Sequence, residues 1–236
     1  MALISTEDVS RLFGSVCAVD RVSVELNEGE SVGLIGPNGA GKTTLLSLLT
    51  GSLKPTRGKI TMDGIDVTML PVFARVTAGI ARAAQIPQTF NRLTVRENVL
   101  LPAYFGAQLS QHDAGVWVDE VLEMTDLFDR AGQQAASLGL LDRKRLELAK
   151  AVASKPRVLL LDEVAAGLTE PEIASIKEVV KRLQPGRVII WVEHIPFALQ
   201  GVCSRLLVMD KGAKLLDGPF DEVWASDVLQ STYMGM

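Results

Sequence analysis

Short apolar runs bounded by turn residues recur at both ends of the chain. Residues 22–26 alternate apolar and polar side chains, as a half-buried strand does, and a Met-Asp-Gly-Ile turn at residues 62–65 indicates a hairpin. Largely apolar runs, typical of strands that are buried on both faces, cover residues 31–35, 158–161, 188–192 and 205–209. These patterns predict an N-terminal antiparallel sheet beside a parallel sheet with right-handed crossovers.

The middle of the chain has the pattern of helices instead. Thr94 and Glu97 have the spacing of a capping box, which predicts a helix that runs to about residue 105. Further helices are predicted over about residues 116–128 and 142–154, with no clear strand among them. Pro171 stands where the first turn of another helix is expected.

A glycine-rich loop lies between the apolar run at residues 31–35 and a predicted helix over residues 42–50. It matches G-x-x-x-x-G-K-[ST] in full, and the strand before it and the helix after it argue against a chance glycine turn. The predicted phosphate-binding residues are Gly36, Pro37, Asn38, Gly39, Ala40, Gly41, Lys42, Thr43 and Thr44. Backbone amides and Lys42 would bind the phosphates of ATP, and the Thr43 hydroxyl would bind Mg²⁺.

This loop sets the predicted fold class. We expect an α/β fold, a P-loop NTPase (RecA-like) core that carries an N-terminal antiparallel β subdomain and an inserted α-helical subdomain. Residues 1–89 and 156–236 would form the core with the β subdomain, and residues 90–155 the helical subdomain.

Polar residues follow two of the buried strands. Asp162 comes directly after residues 158–161, where a P-loop site needs a carboxylate for its metal, and Glu163 is placed to activate the attacking water. His194 ends the strand at residues 188–192. A solvated charge at the strand end is the alternative for Glu163, and a purely structural role is the alternative for His194.

Charge and hydropathy narrow the class of protein. The formal net charge of −4 argues against nucleic acid as the main partner, since binding of nucleic-acid phosphates needs clustered Lys and Arg. No apolar run approaches the ~18 residues of a transmembrane helix, and the first ten residues lack the order of a signal peptide. We therefore expect a soluble intracellular protein.

The succession of motifs resembles the ATP-binding subunit of ABC transporters. A glycine loop is followed by Gln85 after a strand, a helical stretch, the pair Asp162 and Glu163, and then His194. The resemblance implies that Gln85 is the Q-loop glutamine that reaches Mg²⁺ and that His194 contacts the γ-phosphate. It also implies that Phe13 stacks on adenine; for that ring, a place in the core is the alternative.

The same resemblance implies further roles and partners. Val19 would pack beside Phe13, and Lys42, Glu163 and His194 would carry ATP hydrolysis with Mg²⁺. The implied partners are membrane permease subunits, a second ABC ATPase and a periplasmic or extracellular solute-binding protein. Through them the chain would lie on the cytoplasmic face of the inner membrane.

In detail the chain is most similar to the ATPases of branched-chain amino acid importers. The stretches that carry this likeness are residues 79–85, 93–99, 165–168, 192–194 and the tail at 231–235. An exporter, and an ABC protein that acts on DNA or ribosomes, are the alternatives. The second of these usually has paired ATPase units, coiled-coil insertions or basic arms, and none is visible in the sequence.

One motif departs from the family pattern. The signature segment, usually Leu-Ser-Gly-Gly-Gln, is here Leu138, Gly139, Leu140, Leu141 and Asp142. In the family this segment closes on the γ-phosphate that the partner subunit holds. Here it lacks the serine hydroxyl, and Asp142 is expected to bring negative charge towards that phosphate.

Two smaller departures are Val164, where proline is usual, and Thr169, where an acid or amide is usual. Neither removes a ligand from this chain's own site. These features favour a heterodimer with one intact site and one weak site; a homodimer, the alternative assembly, would carry the altered signature twice. The alternative function is a regulatory ATP binder with weak or no hydrolysis.

Overall fold

A six-stranded sheet forms the centre of the protein. The structure is a computed structural model and describes residues 2–229. Its order is β10-β9-β3-β8-β7-β6, with the first pair antiparallel and the others parallel. Its strands are β3 (Ser31–Ile35), β6 (Ile80–Ala83), β7 (Val158–Asp162), β8 (Val188–Val192), β9 (Arg205–Asp210) and β10 (Ala213–Pro219).

A second, four-stranded antiparallel sheet is built from the N-terminal part, in the order β2-β1-β4-β5. Its strands are β1 (Ile4–Phe13), β2 (Val16–Leu26), β4 (Arg57–Met62) and β5 (Ile65–Asp66). The predicted hairpin turn joins β4 to β5 and is confirmed. The prediction missed β1 and the first six residues of β2, because polar and exposed residues interrupt their apolar pattern.

Eight α-helices lie wholly within the described residues. They are α1 (Lys42–Thr50), α2 (Val72–Thr77), α3 (Val95–Phe105), α4 (Gln111–Met124), α5 (Leu140–Ala153), α6 (Glu170–Leu183), α7 (Pro196–Leu199) and α8 (Phe220–Trp224). None of these helices, within residues 2–229, is long and apolar enough to cross a membrane. The α/β organisation agrees with the prediction, and the division of the chain into a core and residues 90–155 stays a prediction.

Local signals account for most of the helix ends. Thr94 caps α3 as predicted, since its hydroxyl accepts from the Glu97 amide at 3.1 Å and Glu97 accepts from the Thr94 amide at 2.7 Å. The predicted start of α4 at residue 116 is wrong. Ser110 caps this helix by accepting from the Asp113 amide at 3.2 Å, so the helix begins at Gln111.

The central sheet separates two apolar clusters because its strands alternate their side chains. In β7, Leu159 and Leu161 belong to the cluster on the helical side, whereas Val158 and Leu160 belong to the cluster shared with the N-terminal sheet. Both faces of the strand are therefore buried, as its continuous apolar run predicted.

The order of the strands brings the site together. β8 lies between β3 and β7, with Leu34 paired to Val192 and Val192 paired to Asp162. The loops after these three parallel strands therefore leave the same edge of the sheet. That edge carries the glycine loop, Glu163 and His194.

Candidate functional site

The glycine loop joins β3 to α1 and is held against neighbouring backbone. Gly36 has φ 152 and Gly41, the cap of α1, has φ 97. A Cβ at Gly36 would lie 2.1 Å from the Met209 carbonyl oxygen, and one at Gly41 would lie 2.2 Å from that of Ala18. Only glycine fits at these two positions, and the loop amides are thereby set at the N-terminus of a nine-residue helix.

Lys42 lies inside this loop and is only 5% exposed. Its Nζ donates to the carbonyl oxygens of Gly36 at 2.7 Å and Pro37 at 3.0 Å. Burial lowers the pKa of Lys42, and the carboxylates of Glu163 and Asp162 oppose that shift. The loop thus holds a buried cation where a phosphate chain would enter.

Asp162 ends β7 and is also buried. Arg82 of β6 donates to its Oδ2, while its Oδ1 is buried and has no hydrogen-bond partner among residues 2–229. Such an unpaired carboxylate oxygen fits a cation, either directly or through water. The exposed Thr43 hydroxyl at the start of α1 is the second candidate ligand, so this donor set fits Mg²⁺.

Glu163 has a left-handed backbone conformation, with φ 48. Its amide donates to the Val192 carbonyl oxygen at 2.9 Å, which ties the residue to the end of β8. His194 Nε2 lies 2.8 Å from Glu163 Oε1, and Gln85 Nε2 donates to Glu163 Oε2. The structure therefore brings together the three side chains that the sequence predicted to act on the γ-phosphate and the metal.

An open cavity runs along the glycine loop and contains most of the predicted nucleotide contacts. It is lined by Phe13, Ala18, residues 38–44, Glu163 and His194. Phe13 is 44% exposed, and the Arg11 guanidinium lies 4.6 Å from the centre of its ring. Phe13 therefore lies at the cavity and not in the core, and its stacking on adenine stays a prediction.

Val19 occupies a different place from Phe13. It is fully buried in the apolar cluster shared by the two sheets, and its neighbour Ala18 lines the cavity instead. Side chains alternate along β2, so only one of these two neighbours can face the cavity. That Val19 packs beside Phe13 stays a prediction.

The signature segment, residues 138–142, leads into α5. Gly139 caps the helix, and Leu140 is 48% exposed. Asp142 is 6% exposed and pairs with Arg130 and with Arg145, the latter at 3.1 Å. This differs from the expectation that Asp142 brings negative charge towards a phosphate, because two guanidinium groups neutralise the carboxylate inside the protein.

The geometry agrees with the comparison to known families. Residues 19–166 match the family described as ABC transporter. The chain belongs to the ABC transporter family. Proteins of this family bind ATP and generally hydrolyse it.

The names of individual relatives describe different transport systems. The chain is 34% identical to the high-affinity branched-chain amino acid transport ATP-binding protein LivG of Salmonella typhimurium, covering 99% of this chain and 98% of LivG. It is 32% identical to the lipopolysaccharide export system ATP-binding protein LptB of Haemophilus influenzae, covering 100% and 98%. Among solved structures, an ABC transporter ATP-binding cassette in its ADP conformation superposes with a TM-score of 0.90 at 26% identity, and all of both chains is covered.

Three residues of this ABC protein's site were missed from the sequence. Arg82 pairs with Asp162, the buried Lys144 donates to the loops that carry Gln85 and Glu163, and the buried Glu193 precedes His194. Arg82 and Glu193 lie in stretches of the sequence that resemble the family. The charge of a side chain alone, however, does not show which residue it pairs with. Lys144 lies 59 residues from Gln85 in sequence, so only the fold reveals their contact.

Glu193 provides a test of the buried part of this site. Burial raises its pKa from 4.5 to about 7, although its carboxylate accepts from the Ala165 amide at 2.8 Å and from Trp191 Nε1 at 2.9 Å. Between these two pKa values the folded chain keeps a proton that the unfolded chain has lost. The free energy of unfolding should therefore fall as pH rises through this range, by up to about 3 kcal/mol.

Glu193→Gln stays neutral at every pH and should remove most of this dependence. Chemical unfolding of the wild type and the variant at about pH 5 and about pH 7.5 measures it. Glu222→Gln, at an exposed position of α8, is the control. Equal pH dependence in the wild type and Glu193→Gln would show that Glu193 does not titrate in this range.

Proposed function

We propose that this chain is the ATP-binding and ATP-hydrolysing subunit that powers import of branched-chain amino acids or a related small solute. The observation that carries hydrolysis is the placement of Glu163 at the cavity, with its carboxylate between Gln85 and His194. Full-length similarity to LivG supports the solute class.

The proposed mechanism uses position and charge. The loop amides and Lys42 bind the β- and γ-phosphates, and Mg²⁺ would neutralise their charge when held by Thr43 and Asp162 beside Gln85. Glu163 accepts the proton of the attacking water, and His194 orients the Glu163 carboxylate from 2.8 Å. Products are ADP and phosphate.

The proposed assembly contains membrane permease subunits and a second ABC ATPase, with a solute-binding protein outside the membrane. The chain would then lie on the cytoplasmic face of the inner membrane through these subunits. One relative is named for branched-chain amino acid transport and another for lipopolysaccharide export, so the direction of transport needs a test. Uptake of labelled leucine in cells that lack this chain should fall and should return with the wild-type gene but not with Glu163→Gln. Normal uptake together with accumulated envelope lipid would support export instead.

A regulatory role is the second candidate, and the signature segment favours it. Leu140 faces solvent where the family pattern has a glycine, and Gly139 offers no hydroxyl to the partner's nucleotide. Gly139→Ser combined with Leu140→Gly and Leu141→Gly rebuilds the family pattern and leaves Asp142 with its arginine partners. In a complex that also carries Glu163→Gln, this change should raise the residual turnover at least about ten-fold, since hydrogen-bond donors to the transferred phosphate are restored.

The residual turnover in that complex comes from the partner's nucleotide, which is why the Glu163→Gln background is used. Gly132→Ser is the matched control, because this glycine is exposed and an added Cβ would meet no atom of the described part of the chain within 4 Å. No gain from the rebuilt segment, with folding intact, would mean that residues 138–142 do not limit the second site.

A further inference from the structure

A buried lysine connects helix α5 with both loops of the hydrolytic site. Lys144 is 3% exposed. Its Nζ donates to the main-chain carbonyl oxygen of Gln85 at 2.6 Å and to that of Glu163 at 3.3 Å. One side chain thus joins the helix that begins at the signature segment to the two residues whose side chains meet at the cavity.

Carboxylates surround the buried ammonium group of Lys144. Burial lowers its pKa, and the carboxylates of Glu193, Glu163, Glu147 and Asp162 act against that shift, in this order of size. A buried ammonium group is stable only where acceptors and opposite charges surround it. The position therefore favours a long cationic side chain, because an apolar one of similar volume would remove a donor from two carbonyl oxygens and a positive charge from among these carboxylates.

The backbone that Lys144 contacts is strained. Glu163 has φ 48, a left-handed conformation that is unfavourable for a residue with a side chain. Its amide is fixed by the Val192 carbonyl oxygen at 2.9 Å, and its carbonyl oxygen accepts from Lys144 and from the Ala166 amide at 3.1 Å. These bonds determine the direction in which the Glu163 carboxylate leaves the chain.

We propose that Lys144 is a positioning residue for ATP hydrolysis. Through the carbonyl groups of Gln85 and Glu163 it holds the Gln85 amide and the Glu163 carboxylate in contact, without touching the nucleotide itself. The proposal rests on the proposed hydrolytic function of Glu163. Because Lys144 is not among the residues that line the cavity at the glycine loop, the proposal predicts an effect on the rate of hydrolysis and little effect on ATP binding.

Hydrolysis and nucleotide binding in the assembled complex test this role. Lys144→Met should lower kcat about 10- to 100-fold, as displaced catalytic groups do, while KM and the affinity for ATP change less than about two-fold. Lys144→Arg keeps the charge and the N–H donors and should recover part of kcat. In the Glu163→Gln background, Lys144→Met should cause no further loss, since both changes act through the same carboxylate.

Lys150→Met is the matched control. Lys150 lies on the same helix and donates to the Gln88 carbonyl oxygen and to Glu147 Oε2, with no hydrogen bond to Gln85 or Glu163 in the described residues. Its kcat should equal that of the wild type. If Lys144→Met does not fold, Lys144→Gln, which keeps an N–H donor, is judged by the same criteria.

Several results would overturn the role of Lys144. One is an unchanged kcat in folded Lys144→Met, and another is an equal loss of kcat and of ATP affinity in that variant. The others are a kcat that Lys144→Arg does not recover and losses that add when Lys144→Met is combined with Glu163→Gln. Absence of hydrolysis by the wild-type complex would contradict the proposed function itself. A normal wild-type rate with an unaffected Lys144→Met would contradict the positioning role alone.

Discussion

Glu163→Gln is expected to slow ATP hydrolysis about 10²- to 10⁴-fold and to leave ATP binding within about two-fold of the wild type. This loss corresponds to about 3–5 kcal/mol of transition-state stabilisation. A glutamine keeps the shape of the side chain at Gln85 and His194 but cannot accept the proton of the attacking water. Glu163 also does not provide the glycine-loop contacts to the phosphates, so affinity should survive.

Steady-state hydrolysis by the assembled complex and equilibrium binding of ATP to the same preparation measure the two effects. Glu178→Gln makes the same chemical change at an exposed position of α6 and should leave both unchanged. Turnover at the wild-type rate in Glu163→Gln would remove Glu163 from its proposed role. A partial loss, close to half of the wild-type rate, would instead show that the partner's site hydrolyses ATP unaided.

Lys42→Ala is expected to act on binding, with a loss of ATP affinity of about 10- to 100-fold. The Lys42 ammonium already lies within the loop, bonded to two carbonyl oxygens, so it needs little rearrangement to meet a phosphate. A charge-assisted hydrogen bond to a phosphate is worth about 1.5–3 kcal/mol. Its removal also takes away a positive charge that interacts with the carboxylates of Glu163 and Asp162.

Thermal unfolding with and without MgATP gives a second reading of this affinity. Saturating nucleotide should raise the Tm of the wild type and have little effect on that of Lys42→Ala, because only bound ligand stabilises the folded state. Lys59→Ala, at an exposed position of β4, should respond as the wild type does. Equal stabilisation of Lys42→Ala and the wild type would show that the loop binds phosphate without its lysine.

The main elements of the site could be predicted because each has a local physical signal. Gly36 to Thr43 carries the spacing of a phosphate loop, and the strands that precede it and Asp162 are continuous apolar runs. All four predicted central strands begin and end within one residue of the observed ones. The start of α4 was missed because Ser110 and Asp113 form a capping pair within a polar stretch that has no apolar periodicity.

The contacts between distant segments could not be predicted in this way. Asp142 was expected to face a phosphate, yet it pairs with Arg130 and Arg145 inside the protein. Val19 was expected beside Phe13, and that contact stays a prediction; the structure buries Val19 and places its neighbour Ala18 at the cavity. In each case the residue type was known from the sequence. The direction of the side chain depended on packing against segments that are distant in sequence.

The sequence by itself determined that this chain has a phosphate loop, a strand-end carboxylate pair and the order of motifs of an ABC protein. These features depend only on residue type and on spacing over a few residues, and both can be read directly from the sequence. Only the tertiary structure decided that Arg82 and Lys144 hold the backbone and carboxylates of the site, and that Glu163 lies between Gln85 and His194. Such contacts form only when strands distant in sequence become neighbours in one sheet, where burial makes each unpaired charge costly and so selects its partner.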